Sequence, residues 1–589
     1  MSSLAPTLKA CLTVTEKEKL IFKNSCSNLF GEKGVRKLFV STLPVLLIFA
    51  ALFNLAFVFS SNHQAQSAFL KSESLNHQTS DSVSLPTTQS INYNFSRYHT
   101  IAETVTILQN FQKAYPNLLK TYTIGSSFKG KQIWAVEMTN FLNGLPFTKP
   151  AMLYVGPHHG NEIIGKEIAL YYMWYLLSNY GANETVTRIL NEKTIYVIPC
   201  VNVDGNDWSV SGLPQRFNCR PMDDDGDGLL DEDPPEDLNG DGKITDMRFW
   251  NETKNDWDYY PEGLDKDGDG FCTNEGWAKA DSIGGIDLNR NYPKGWTDYP
   301  GHGEYPFSEP ETQAVRDFVA SHPNIATVFD THSGALCIVH PWTYTGTSTP
   351  DNQLYITLRN KYENLTGYAY HRMGAQGTSI DWIYDTQSAI AFSMELFGGG
   401  FYPGGYTQFE KDYPDINVPW QNFSHPQLGN VQIGGTWIIR AYNPPEAEIE
   451  RWALKNLPML IDLAEITSKL EITGFNVSRG EGGIFNISTT ITNLGFLDTA
   501  TYQALQTQTN KPVNVTLSFS SNIELASKNQ TLSFAVIKGN QTVSSQWQIR
   551  IKQSGYTWVK VSVTSSKGGV DEIYARFYIP SREPLHVIP

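Results

Sequence analysis

Gly156-Pro157-His158-His159-Gly160-Asn161-Glu162 follows directly on an apolar run, Ala151 to Val155. The run reads as a buried strand, and His159 and Glu162 form His-x-x-Glu just beyond its end. Residues three apart on a helical turn point the same way, so an imidazole and a carboxylate can there meet one metal ion. Upstream, Ile101, Val105, Leu108, Phe111 and Tyr115 recur at helical spacing until Pro116 breaks the run. Residues 119–125 and 132–138 alternate like two strands around a turn. Downstream, the pattern predicts a helix over 165–180 and an apolar strand over 194–203. Strand–helix–strand order implies an α/β sheet covered on both faces, where ligands gather beyond strand ends.

At 589 residues the chain is too long for one average domain. The formal charge of −15 and the lack of a basic stripe argue against nucleic acid as a partner. That charge is concentrated. Residues 222–275 hold 19 acidic against 4 basic side chains, so this stretch reads as an insertion that needs a cation. The α/β pattern resumes at Ile286 and runs to an amphipathic helix over 445–466. After Leu470, short alternating strands rich in Val, Thr, Ile and Ser continue to Ile579, as expected of a separate all-β sandwich.

Residues 38–60 are almost wholly apolar and follow Lys33, Arg36 and Lys37. Such a run can span a bilayer with the flanking cations left in the cytoplasm. The reading is a cytoplasmic segment 1–37, a transmembrane signal anchor 38–60, a polar linker 61–94, a catalytic domain 95–467 containing the insertion 222–280, and a β-sandwich 468–589. The chain would be a single-pass protein of the cell membrane with its catalytic part outside, or secreted if the apolar run is cleaved at small residues such as Ala65 and Ala68. Ten Asn-x-Ser/Thr sequons support export. Cys219 and Cys272 bracket the acidic insertion and could staple its base, although spacing alone assigns no pairs.

His159 and Glu162 need a third ligand to bind zinc and leave one position open. His332 ends an apolar strand in Thr331-His332-Ser333 and is the best distant candidate. His302, His322 and His340 compete, and a lone strand-end histidine is ordinarily held by a backbone bond. His158 reads as a neighbour of the site, not a ligand. Glu395 follows another apolar strand, and beside zinc it could move a proton between water and a leaving amine. Arg290 with Asn289 offers a planar guanidinium and an amide, suited to gripping a terminal carboxylate bidentately.

In order, the chain carries His159-x-x-Glu162, Asn202-Val-Asp-Gly205, Arg216-Phe-Asn-Cys-Arg220, Asp287-Leu-Asn-Arg-Asn291, Ser308-Glu-Pro-Glu-Thr312, Thr331-His-Ser333, Ser379-Ile-Asp-Trp382 and Phe392-Ser-Met-Glu-Leu396. This series resembles the zinc metallocarboxypeptidases of the carboxypeptidase A/B/E type over about residues 95–465. The resemblance implies a mixed sheet flanked by helices and a hydrolase that removes C-terminal residues from peptides or proteins. It makes His159, Glu162 and His332 the zinc ligands and Glu395 the general base toward the zinc-bound water. It makes Arg216 the group that stabilises the oxyanion, and Asn289 and Arg290 the anchor for the substrate's carboxylate. Ile380 stands where the family selects the terminal side chain, which implies an apolar preference. The family's mobile tyrosine position is occupied by Met373, and Tyr370, three residues away, is the nearest substitute for substrate binding.

The insertion contains three loops in phase. They offer Asp223, Asp225, Asp227 and Asp231, then Asp237, Asn239 and Asp241, then Asp265, Asp267 and Asp269. Alternate oxygen ligands with a glycine at the sixth place suit structural calcium, in the manner of thrombospondin type-3 or dockerin repeats. Two other functions fit the same sequence: an amidase on peptidoglycan-type peptides, and an inactive calcium-binding adhesion protein.

Overall fold

The structure is a computed structural model and describes residues 93–223, 228–231, 233–266, 268 and 284–580. The expected cytoplasmic segment, membrane anchor and most of the linker lie outside the described residues. Among the described residues no helix is long and apolar enough to cross a membrane.

In chain order the elements are α1 (Ile101–Ala114), β1 (Leu119–Ser126), β2 (Gln132–Met138), β3 (Ala151–Val155), α2 (Ile164–Asn179), α3 (Glu184–Glu192), β4 (Thr194–Ile198), α4 (Val203–Val210), β5 (Asp246–Asn251), β6 (Asp256–Pro261), α5 (Pro310–Ser321), β7 (Ile325–His332), β8 (Cys337–Val339), α6 (Asn352–Thr366), β9 (Ala369–Tyr370), α7 (Ser379–Gln387), β10 (Ile390–Glu395), β11 (Asn417–His425), β12 (Gly429–Thr436) and α8 (Ile449–Glu465). Eight strands follow: β13 (Leu470–Arg479), β14 (Ile484–Asn493), β15 (Val513–Phe519), β16 (Ile523–Leu525), β17 (Thr531–Phe534), β18 (Thr542–Ile551), β19 (Gly555–Ser565) and β20 (Gly569–Ile579).

The α/β body is an eight-stranded mixed sheet in the order β1-β2-β4-β3-β7-β10-β8-β9. Its centre, β4-β3-β7-β10, is parallel. Strands buried on both faces read as unbroken apolar runs, and β3 and β4 are buried at every position. Two apolar clusters cover the two faces of the sheet. α1 starts where the sequence places it, because Thr100 and Glu103 form a reciprocal capping box. α2 is buried along most of its length, since it is packed beneath α8.

Two sequence expectations need correction. The apolar stretch 194–203 is a strand only to Ile198; Asn202 then caps α4 by accepting from the Gly205 amide. The residues 157–163 form a turn, and α2 begins at Ile164, so His159 and Glu162 do not share a helix. The insertion also carries regular structure beside its three loops. It contributes the hairpin β5–β6, which extends the hairpin β11–β12 into a second antiparallel sheet, β11-β12-β5-β6. Arg248 fixes this junction, donating from two nitrogens to Gln432 Oε1 and lying over the rings of Trp257 and Trp420.

The C-terminal strands form two four-stranded antiparallel sheets, β13-β14-β18-β16 and β17-β15-β19-β20, around their own apolar core. This is the expected sandwich. It docks on the α/β body through buried Lys567, whose Nζ donates to the carbonyl of Ile325 at the start of β7. Asp351 also accepts from the amides of Tyr502 and Gln503.

Candidate metal centre and active site

The carboxyl ends of β3, β7 and β10 lie side by side. Val155 pairs with Asp330, and Glu395 pairs with His332. The turn after β3 therefore brings His159 and Glu162 toward the end of β7. It is pressed onto neighbouring backbone: a Cβ at Gly160 would lie 2.4 Å from the carbonyl oxygen of Gln215 and 2.4 Å from the carbonyl carbon of Gly205. Gly160 also donates its amide to the carbonyl of Arg216 at 2.8 Å. Asn202 donates to the same carbonyl and to that of Phe217. The Asn202-to-Gly205 motif is thus what sets the position of Arg216.

Three side chains converge. His159 Nδ1 lies 2.8 Å from Glu162 Oε1 and 3.0 Å from His332 Nδ1, and His332 Nδ1 lies 3.1 Å from Glu162 Oε2. All three residues are buried. Arg216 donates to Glu162 Oε1 at 2.9 Å and has Nη2 3.3 Å from His159 Nε2. Behind His159, Asp287 Oδ1 lies 3.0 Å from Nε2.

This donor set fits zinc. Two imidazole nitrogens facing each other at 3.0 Å cannot both use their lone pairs on one another, but both can bind a shared cation beside the carboxylate. The charges agree. Glu162, Asp287, Asp330 and Glu395 outnumber the guanidiniums of Arg216 and Arg290 around this point, so the surroundings suit a cation. Burial pushes Glu162 upward, yet the two imidazoles outweigh it and hold the carboxyl well below its usual range. Burial pushes His332 downward, yet Glu162 and Asp330 raise it well above an ordinary histidine. The pocket favours positive charge at that point.

Glu395 is partly exposed to the cleft, and its carboxyl is raised, first by burial and then by the charge of Glu162. Asn289 lies across His332, with Nδ2 2.9 Å from His332 Nε2, while its Oδ1 accepts from the Ser379 amide at the start of α7. Arg290 is partly exposed next to it and donates from Nη1 to the carbonyl of Asn289. Ile380 is buried one residue into α7, in a cluster with Trp382 against which Met373 packs. Asn289, Arg290 and α7 are thereby linked to the metal-ligand group.

The remaining predicted residues lie elsewhere. Tyr370 is on β9, two strands from β10, with its ring stacked on His340 and under the guanidinium of Arg359. It is engaged there and not with the metal-ligand group. His302 packs against Thr297 and Tyr299, His322 against Phe318, and His340 between Tyr355 and Tyr370, so none of them competes with His332.

Of the calcium candidates, Asp225, Asp227, Asp267 and Asp269 fall outside the described residues. Asp237 accepts from the amides of Gly240, Asp241 and Gly242, and Asn239 from that of Asp241. Asp241 accepts from Lys243, Asp223 from Gly228, Asp231 from Met222 and Asp265 from Gly268. Among the described residues, the groups of three converging donors both include His332, and none is in the insertion. Cys219 is a free, buried thiol, and Cys272 falls outside the described residues.

Asp330 and Tyr292 belong to this neighbourhood and were not anticipated from the motifs. Asp330 had a signal: it precedes His332 by two on a strand, so both side chains leave the same face.

Residues 104–413 match the sequence model of a family described as zinc carboxypeptidase, and residues 469–575 match that of a domain of unknown function. Carboxypeptidase A2 of Mus musculus is 25% identical over 333 residues, covering 53% of this chain and 65% of its own length. Carboxypeptidase D of Drosophila melanogaster is 23% identical over 368 residues, covering 62% of this chain and 21% of its own. The crystal structure of thrombin activatable fibrinolysis inhibitor is similar at a TM-score of 0.42 and 19% identity, over 63% of this chain and 74% of that one. The chain thus spans 65% of the length of carboxypeptidase A2.

Proposed function

This chain belongs to the zinc carboxypeptidase family, and on that premise we propose that it hydrolyses the last peptide bond of peptides or proteins with a free C-terminus. The observation that carries the reading is the convergence of His159, Glu162 and His332 beside Glu395, with Arg216 bonded to Glu162 and Arg290 bonded to the carbonyl of Asn289. His159, Glu162 and His332 would hold zinc. When bound, the ion supplies a Lewis acid that polarises a carbonyl and makes water more acidic.

The chain's own groups divide the rest of the work. Glu395 takes a proton from the attacking water and returns it to the departing amine; its raised affinity for protons suits both halves of that exchange. Arg216, fixed by Asn202 and Gly160 through its own carbonyl, stabilises the oxyanion. Arg290 and Asn289 hold the terminal carboxylate and so set which bond is presented. Ile380 favours an apolar terminal side chain. Digestion of a peptide set that differs only at the last residue, in free-acid and amidated forms and with and without a zinc chelator, tests the reading. Cleavage of amidated peptides as fast as free acids, or activity that survives complete zinc removal, would refute it.

The wider setting belongs to the same proposal. The apolar segment 38–60 anchors the chain with its catalytic part outside the cell, which sequon occupancy and surface labelling would test. Calcium orders the acidic insertion, supported by its three in-phase Asp-rich loops. If a calcium-selective chelator leaves the melting curve of the zinc-loaded protein unchanged, calcium has no such role.

A further inference from the structure

Asp330 and His158 take no part in binding or hydrolysis as proposed, yet both are completely buried beside His332. Asp330 Oδ2 lies 3.2 Å from His332 Nε2, and Oδ1 lies 3.3 Å from His158 Nδ1. From the neighbouring strand, Ser393 Oγ donates to Oδ2 at 3.2 Å. The other ring nitrogen of His158 lies 2.8 Å from the hydroxyl of Tyr292. The two imidazoles of His158 and His332 are almost parallel, 13° apart with centroids at 6.0 Å. A line Tyr292, His158, Asp330, His332 therefore ends on the ring nitrogen opposite the one that faces His159 and Glu162.

A buried carboxylate carries a desolvation penalty of several kcal/mol unless its neighbours offset it. An imidazole whose far nitrogen holds a cation offers such an offset, because its N–H becomes a stronger donor. His332 Nε2 needs an acceptor. Asn289 cannot be that acceptor: it presents Nδ2 at 2.9 Å, and its oxygen is taken by the Ser379 amide. Asp330 Oδ2, 3.2 Å away, is the carboxylate oxygen within reach of that nitrogen. The arrangement repeats the one around His159, where Asp287 stands behind Nε2 at 3.0 Å. Each histidine of the centre thus has one carboxylate behind it.

We propose that Asp330 is a positioning residue: it accepts from His332 Nε2, turns Nδ1 toward the zinc site, and is itself held by His158 backed by Tyr292. This rests on the reading of His159, Glu162 and His332 as zinc ligands. Asp330 touches neither substrate nor the reacting atoms in that scheme. Its removal should therefore act on metal affinity and ligand field, not on peptide binding.

The test compares the parent chain with Asp330→Asn, His158→Gln and His332→Ala. Zinc affinity is measured by competition with a chromogenic chelator, metal stoichiometry by elemental analysis, and ligand geometry by the visible spectrum of the cobalt-substituted protein. Asp330→Asn should weaken zinc binding by about 10- to 100-fold, shift the cobalt spectrum, and leave KM unchanged at saturating zinc. His158→Gln should shift both metal readouts in the same direction by less. A folded Asp330→Asn that binds zinc within about twofold of the parent overturns the proposal. So do two ions per parent chain, since His158, Asp330 and His332 themselves lie close enough to hold one. Should Asp330→Asn not fold, an unchanged zinc affinity in His158→Gln overturns it instead. A parent that binds no zinc, or a His332→Ala that binds it undiminished, defeats the ligand assignment as well; a null result confined to Asp330→Asn and His158→Gln defeats this inference alone.

Discussion

Glu395 stands directly across from His332. β10 and β7 run parallel in register from Ile390 opposite Thr327 to Glu395 opposite His332, so a carboxylate and an imidazole leave adjacent strands at the same level. Neighbouring strands are about 4.8 Å apart, a spacing at which one residue can serve as a ligand while the next stays available to move protons. Sequence separation is irrelevant to this pairing; the hydrogen-bond ladder fixes it.

Glu395→Gln should lower kcat by about 10²- to 10⁴-fold and leave zinc content at the parental level. The amide has nearly the same shape but cannot take up the proton. Glu395 is not in either group of converging donors, so metal binding should survive. Turnover measured alongside elemental analysis separates the two effects, and loss of zinc in this variant would reassign Glu395 as a ligand.

Arg290→Ala should raise KM for free-acid peptides by about 10- to 100-fold, the range expected when a hydrogen bond to a charged group is lost. Arg290→Lys should recover only part of this, because an ammonium cannot reproduce the bidentate fork. Steady-state kinetics on paired free-acid and amidated peptides give the answer; equal losses on both would remove Arg290 from carboxylate recognition.

Gly160→Ala should destabilise the fold by about 1–3 kcal/mol and weaken zinc binding. The added methyl would meet backbone of Gln215 and Gly205 at 2.4 Å, and backbone there has little freedom to yield. Displacing the turn moves His159, Glu162 and the carbonyl of Arg216 together. Denaturant unfolding and zinc titration report the two losses.

The contact between the sandwich and the catalytic body should be pH-sensitive through Lys567. Burial, with a smaller push from Lys511, lowers its ammonium from the ordinary 10.5 to about 7. Between those values the unfolded chain binds a proton that the folded chain does not, so stability rises with pH through this window, by up to about 1.4 kcal/mol per unit from this group. Lys193, lowered by burial to about 7, contributes a slope of the same sign. Lys567→Met should flatten part of the rise in unfolding free energy between pH 7 and 10. An unchanged slope would mean that Lys567 keeps its proton when folded.

The sequence by itself determined the kinds of residue and their local setting. Uninterrupted apolar runs specify strands buried on both faces, which is why 151–155 was legible to the residue. Thr100 and Glu103 specify the start of α1 through a purely local cap. The order of motifs named His159, Glu162, His332 and Glu395, because each lies at or just beyond a strand end, where such sheets gather ligands. Only the tertiary structure decided what crosses between elements. Nothing local to Asp330 says that a histidine 172 positions earlier will face it. Nothing in the insertion says that β5 will pair with β12 from the far side of the catalytic strands. Nor does anything local to Tyr370 say that its ring will stack on His340 and lie under Arg359 on an edge strand. Periodicity and caps depend on neighbours in the chain, whereas register and burial depend on segments far away in it, and those distant contacts determine which side chains share a charge.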